Sequence, residues 1–161
     1  MNPSGAWMLG LWCDAKHPAL AGFPTEGNCD WQWIDLAGDA RALNLDALPP
    51  SLQSIVQPID DWNRNWKLGL LYECSVGTGK LLVCSIDLNV ARAGTASLRR
   101  SILDYMAGPR FQPTVAITAA DLRRQWLRMR PNSVDPGANQ PVVPSSPDLV
   151  APGEIRRKPA S

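Results

Sequence analysis

The sequence predicts an α/β fold in three layers: a mixed sheet organised around one β-hairpin, with helices on either side. Three observations predict it. From Lys67 to Leu88, KLGLLYECSVGTGKLLVCSIDL, apolar residues recur at every second position on both sides of a glycine-rich turn, the signature of a hairpin. Leu71, Leu81 and Val83 interrupt the polar set, so the second face of these strands is also covered, as in a sheet sandwiched between helices. Two later segments, 95–107 and 118–130, carry helical periodicity with start and stop signals.

The hairpin's apolar set is even-numbered on both strands: Leu68, Leu70, Tyr72, Cys74 and Val76, then Leu82, Cys84, Ile86 and Leu88. An odd-length loop pairs even with even and keeps both sets on one face. The expected connection is therefore a three-residue turn, Gly77-Thr78-Gly79, with Cys74 and Cys84 as diagonal neighbours on the same face. The turn runs into Gly79-Lys80, but a phosphate loop requires a glycine where Cys74 stands and a Ser or Thr where Leu81 stands. It also requires a helix to follow, and here a strand does.

The remaining elements follow in order. Trp7 to Trp12 is a short apolar run, expected as a strand or an adhesive edge, and residues 13–30 read mostly as loop. A short helix is expected over 30–37, with Asp30 as cap and Trp31 and Ile34 on one face. Short strands are expected over 42–48 and 52–59, with Pro58 marking an edge or an end. In the helix 95–107, Leu98, Ile102, Tyr105 and Met106 form the inner stripe, Thr95 is placed to cap the start, and Gly108-Pro109 stops it. Arg100 and Asp104 make an i, i+4 pair on its wet side. In the helix 118–130, Thr118 and Asp121 resemble a capping box, Leu122, Trp126 and Met129 form a stripe, and four arginines make it basic. The expected role of that helix is docking on the protein's own surface, with a peptide-binding scaffold as a weaker option. Seven prolines fall among the last 31 residues, with few aliphatics and no aromatics, so a loosely ordered tail is expected. The expected divisions are 1–113 for the α/β module, 114–130 for an appended helix and 131–161 for the tail.

Composition narrows the function classes. A chain of 161 residues that is 45% hydrophobic can bury a core, and a net charge of +1 gives no electrostatic footprint for nucleic acid. No apolar run reaches the length of a membrane span, and the N-terminus lacks the pattern of a secretory signal, so a cytoplasmic protein with no membrane partner is expected. Cys13, Cys29, Cys74 and Cys84 have no metal-binding spacing and His17 is the single histidine, so no metal and no cofactor are expected.

An ordered set of segments carries a resemblance. His17-Pro18-Ala19-Leu20-Ala21-Gly22-Phe23-Pro24-Thr25, then Trp31-Gln32-Trp33, then Ile59-Asp60-Asp61-Trp62, then the hairpin, then Leu98-Arg99 to Tyr105-Met106 resemble the C-terminal part of large bacterial family 2 glycoside hydrolases of the β-galactosidase-like group. The resemblance covers about residues 9–113. It implies an accessory α/β module similar to an incomplete class I glutamine-amidotransferase-like fold. In such enzymes the hydrolytic glutamates belong to a separate (β/α)₈ barrel. Nothing in this sequence matches the surroundings of those glutamates, and a barrel needs about 200 residues or more. Amidotransferase chemistry has no support either: Cys84 sits in mid-strand without flanking glycines, and His17 has no evident carboxylate to orient it.

Two functions are therefore expected in competition. The first is a non-catalytic accessory or carbohydrate-associated module, partnered by a glycoside hydrolase catalytic domain, a saccharide or a second copy of the chain. The second is a small stand-alone β-galactosidase-type glycosidase using a carboxylate pair. Among Glu26, Asp30, Asp60, Asp61 and Glu73, the catalytic candidates are Glu26, Asp61 and Glu73; adjacent Asp60 and Asp61 would diverge if extended. Trp31, Trp33 and Trp62, with Asn63, are the candidates for stacking a sugar ring, against the plainer reading of core anchors or a docking surface.

Overall fold

A computed structural model describes residues 9–28, 30–38, 40–92 and 94–128. The expected loose tail, Met129 of the basic helix, Cys29, and Trp7 and Met8 of the first apolar run lie outside the described residues.

The elements are β1 (Gly10–Cys13), a 3₁₀ turn (Pro18–Leu20), α1 (Trp31–Ala37), β2 (Leu43–Asn44), β3 (Ser54–Ile59), β4 (Leu68–Gly69), β5 (Leu71–Val76), β6 (Gly79–Cys84), α2 (Thr95–Ala107), β7 (Ala116–Ile117) and α3 (Ala119–Arg128). The fold is mixed α/β. The main sheet runs β1-β3-β5-β6 with antiparallel neighbours, and β7 joins β5 in parallel, which makes the sheet mixed. β2 and β4 form a separate small ladder.

The hairpin forms where its alternation places it, but its register differs from the expected one. Val76 pairs with Gly79, so the loop is two residues, Gly77-Thr78, and Tyr72 faces Val83 while Cys74 faces Leu81. Gly77 adopts φ 59 and Thr78 does not take a positive φ, the arrangement of a type II′ turn, whose twist matches that of the flanking strands. Even residues of β5 thus share a face with odd residues of β6. Cys74 and Cys84 lie on opposite faces, and both are free thiols. Alternation could not decide this, because both faces are covered and either register buries apolar side chains.

The covering comes from two cores. Leu71 of β5 and Leu82 and Cys84 of β6 pack with Leu98, Ile102 and Tyr105 of α2 and with Trp33 and Leu36 of α1. On the other face, Tyr72, Cys74 and Val76 of β5 and Leu81 and Val83 of β6 pack with Leu43, Leu45, Leu48, Leu52, Ile117 and Leu122. A bulge between Ser54 and Val56 of β3 allows three successive residues, Ser54, Ile55 and Val56, to be buried. Gly69 of β4 is required by packing: a Cβ there would lie 2.7 Å from Ser54 Oγ and 2.9 Å from Leu45 Cδ1.

Three local expectations change. α1 forms with Trp31 and Ile34 on one face as expected, which is the exposed face since Trp33 and Leu36 point inward, but Asp30 at its cap position makes no side-chain cap bond. In α2, Gly94 occupies the cap position without a side-chain bond, and the buried Thr95 Oγ1 has no hydrogen-bond partner. In α3 the reciprocal capping box is made: Thr118 N donates to Asp121 Oδ2 at 3.1 Å and Asp121 N to Thr118 Oγ1 at 3.1 Å. The residue α3 buries is Gln125, however, while Trp126 is 59% exposed. Among the described residues, no helix is long and apolar enough to cross a membrane.

Candidate functional site

A group of three titratable side chains from separate elements lies on the α2 face of β5. Strand alternation points Glu73 toward α2, where Tyr105 comes down one turn after Ile102 on the inner stripe. Tyr105 Oη donates to Glu73 Oε2 at 2.7 Å. His17 completes the group, with Nε2 at 3.9 Å from Glu73 Oε1 and its ring edge-on to Tyr105. The carboxylate that the sequence did not disclose for His17 is thus Glu73, supplied by a distant strand.

The loop holding His17 is fixed to α2. Ser101 Oγ donates to Ala19 O at 2.7 Å and accepts from Gly22 N at 2.8 Å. His17 itself starts the 3₁₀ turn, and its Nδ1 accepts the Ala19 amide at 3.2 Å. That bond places the proton of a neutral ring on Nε2, facing Glu73. Burial holds the imidazole below its ordinary 6.5, opposed by the charges of Glu73 and Asp14. Burial, followed by the hydrogen bond to Glu73 and its charge, raises the Tyr105 phenol far above its usual value.

The chemical consequence is that the cluster is closed on itself. One imidazole nitrogen accepts a backbone amide and the other turns its proton to Glu73, so neutral His17 has no lone pair left for a general base. The Tyr105 proton is already committed to Glu73. Cys74 and Cys84 are not poised as nucleophiles in its place: burial pushes both thiols upward, away from the thiolate.

The other acidic candidates are held elsewhere. Asp60 is buried; its Oδ1 accepts from Arg64 Nη2 at 2.5 Å and its Oδ2 from Trp66 N at 3.0 Å. Asp61 Oδ1 accepts the amides of Asn63 at 2.8 Å and Arg64 at 3.2 Å, and the Asn63 bond leads in lowering its pKa. Arg64 Nε lies 3.0 Å from Asp61 Oδ2 as an ion pair. The two adjacent aspartates, expected to diverge, converge on one guanidinium, which also lies over Trp66 at 5.0 Å. Glu26 is exposed, and its backbone carbonyl accepts from Thr25 Oγ1. Glu26, Asp61 and Glu73 therefore answer to three different sets of partners.

The aromatic candidates divide by exposure. Trp33 is completely buried, edge-on to Phe23, with Nε1 donating to Thr25 Oγ1 at 2.7 Å, and anchors the core. Trp31 is 87% and Trp62 83% exposed, and Asn63 beside Trp62 is exposed as well. On the opposite face of β5, Tyr72 Oη donates to Gln125 Oε1 at 2.6 Å, a buried neutral pair that sequence patterning did not single out. Among the described residues, no group of three or more His, Cys, Asp or Glu side chains is placed to hold a metal ion.

No curated protein matches the chain. A family model does, over residues 1–126, which takes in every element from β1 to β7 and most of α3. The chain belongs to that family, described as a domain of unknown function, DUF8487.

Proposed function

We propose that this protein is a non-catalytic accessory module of a β-galactosidase-like family 2 glycoside hydrolase, acting by docking on a barrel-containing catalytic partner. The observation that carries the reading is the closed state of the His17–Glu73–Tyr105 cluster: the best-buried of the candidate carboxylates accepts the Tyr105 hydroxyl and faces His17 at 3.9 Å, so that strand, helix and loop meet there. The ordered resemblance over residues 9–113 supplies the identity of the partner, and the mixed sheet with helices on both faces is compatible with the incomplete amidotransferase-like module it implies. Trp31 with Ile34 on the outer face of α1, and Trp62 in the β3–β4 connection, are the exposed apolar groups that such docking would cover.

One observation favours the competing reading of a small glycosidase: the Glu73 side chain keeps 16% of its surface open, with a phenol proton beside it. The two readings separate in one experiment. The affinity-tagged chain is recovered from its source cells and co-purifying proteins are identified. The docking reading expects a barrel-containing glycosidase that is lost with Trp31→Ala and Trp62→Ala and kept with Glu73→Gln. Recovery of the chain alone, or only as a self-associated species in light scattering, counts against it.

A further inference from the structure

We infer that the cleft between α3 and the free edge of β6 is a binding site for a neutral saccharide. The cleft measures about 390 Å³, within the range of small-molecule sites, and is lined by Arg41, Val83, Ser85, Asp87, Gln125 and Trp126 among others. Leu43 and Cys84 add to its apolar wall, and four features of the lining point to a sugar ring, with its apolar C–H faces and its hydroxyls, rather than to a charged ligand.

The first is an unmet hydrogen bond. Gln125 is 3% exposed and its Oε1 is taken by Tyr72, yet its buried Nε2 has no acceptor. A buried amide group in that condition costs about 1–3 kcal/mol, which a ligand hydroxyl would recover once the Gln125 carboxamide turns toward the cleft it lines. The second is Trp126, which follows Gln125 on α3 and stays 59% exposed although it lies on a cleft wall. An indole face accepts the C–H face of a sugar ring as it accepts other apolar, weakly positive edges.

The third is charge. Arg41 and Asp87 line the same cleft with opposite signs, so neither an anion nor a cation is favoured overall. The fourth is the mixture of donors and acceptors. Arg41 and Gln125 donate. Asp87, whose Oδ1 takes the Asn89 amide at 2.9 Å, keeps Oδ2 as an acceptor. Ser85 Oγ, which donates to Leu70 O at 3.4 Å, keeps lone pairs. Hydroxyl groups both donate and accept, and a ring carrying several of them satisfies such a lining better than an amine, a carboxylate or a hydrocarbon does.

This site differs from Trp31 and Trp62, and it rests on the reading above only for the choice of β-galactosides as probes. The test is calorimetric titration of the full chain with lactose and with methyl β-galactoside, beside the same titration of Trp126→Ala, Asp87→Asn and Trp31→Ala, each checked for native far-UV dichroism. Asp87→Asn keeps the oxygen that caps Asn89, so its fold is preserved. The expected result is saturable binding that weakens about tenfold or more in Trp126→Ala and Asp87→Asn and is unchanged in Trp31→Ala. Absence of binding by the wild type overturns the inference, as does binding that depends on Trp31 and ignores Trp126. Loss of partner docking with retained lactose binding would remove the proposed function and leave this site standing.

Discussion

The chain has two tyrosines, and they do comparable work on opposite faces of β5 with opposite consequences. Tyr105, on α2, gives its proton to a charged acceptor, Glu73, which also faces His17; every polar atom of that group finds an answer inside the protein or in the solvent it still touches. Tyr72, on β5, gives its proton to a neutral acceptor, Gln125, in a buried pair that leaves one amide nitrogen unmatched beside an open cleft. The face with the reactive-looking residues is thus chemically complete. The face with the unremarkable residues has the unmet demand. Reactive residue types alone are a poor guide to a site; the state of their hydrogen bonds is a better one.

The difference can be broken from either side. The largest effect is expected on the neutral face. Gln125→Ala leaves a buried phenol without an acceptor and a void beside it, and should cost about 2–3 kcal/mol in urea unfolding. Combining Tyr72→Phe with Gln125→Leu should cost less than the sum of the two single changes, because both partners are then apolar. On the charged face, Tyr105→Phe should cost less, about 1–2 kcal/mol, since Glu73 can take up water at its open side. Equal losses for the two tyrosine partners would erase the distinction.

Ionisation sharpens the same comparison. Neither tyrosine should ionise near the ordinary value of 10.0 while the protein is folded, with Tyr72 held up to about 12 and Tyr105 higher still. For an acid whose folded pKa is raised, the linked stability is intact below the unfolded pKa and is lost as pH rises toward the folded one. Absorbance at alkaline pH should therefore show phenolate appearing together with unfolding, and a phenol titrating at its free value in native protein would contradict the burial of both rings. The smallest effect belongs to His17. Its folded pKa lies below 6.5, so its contribution is present above that pH and declines as pH falls beneath it, where the unfolded chain binds the proton first. In His17→Gln the slope of stability against pH just below 6.5 should become shallower.

Much of the architecture could be read from residues, and the failures have definite causes. The hairpin was legible because Tyr72, Cys74 and Val76 alternate cleanly, and α2 because Leu98, Ile102 and Tyr105 share one stripe. The hairpin register was not legible, because Leu71, Leu81 and Val83 make the other face equally apolar and a one-residue slip exposes nothing. Which face of α1 turns inward was not legible, because Trp31 and Ile34 are as apolar as Trp33 and Leu36, and only the tertiary partners Phe23 and Thr25 choose the face. Glu73, Tyr105 and His17 come from three separate elements, and nothing local joins them. Gln125 was invisible for a different reason: a glutamine between arginines on a basic helix reads as part of its wet face.

The central claim is that the Glu73 cluster holds the fold together and does not turn over substrate. Its most direct test is release of chromophore from an aryl β-galactoside by the purified full chain, measured beside Glu73→Gln. The account predicts a rate equal to that of buffer for both proteins, together with a lower unfolding midpoint for the variant. Turnover by the wild type that disappears in natively folded Glu73→Gln would contradict it.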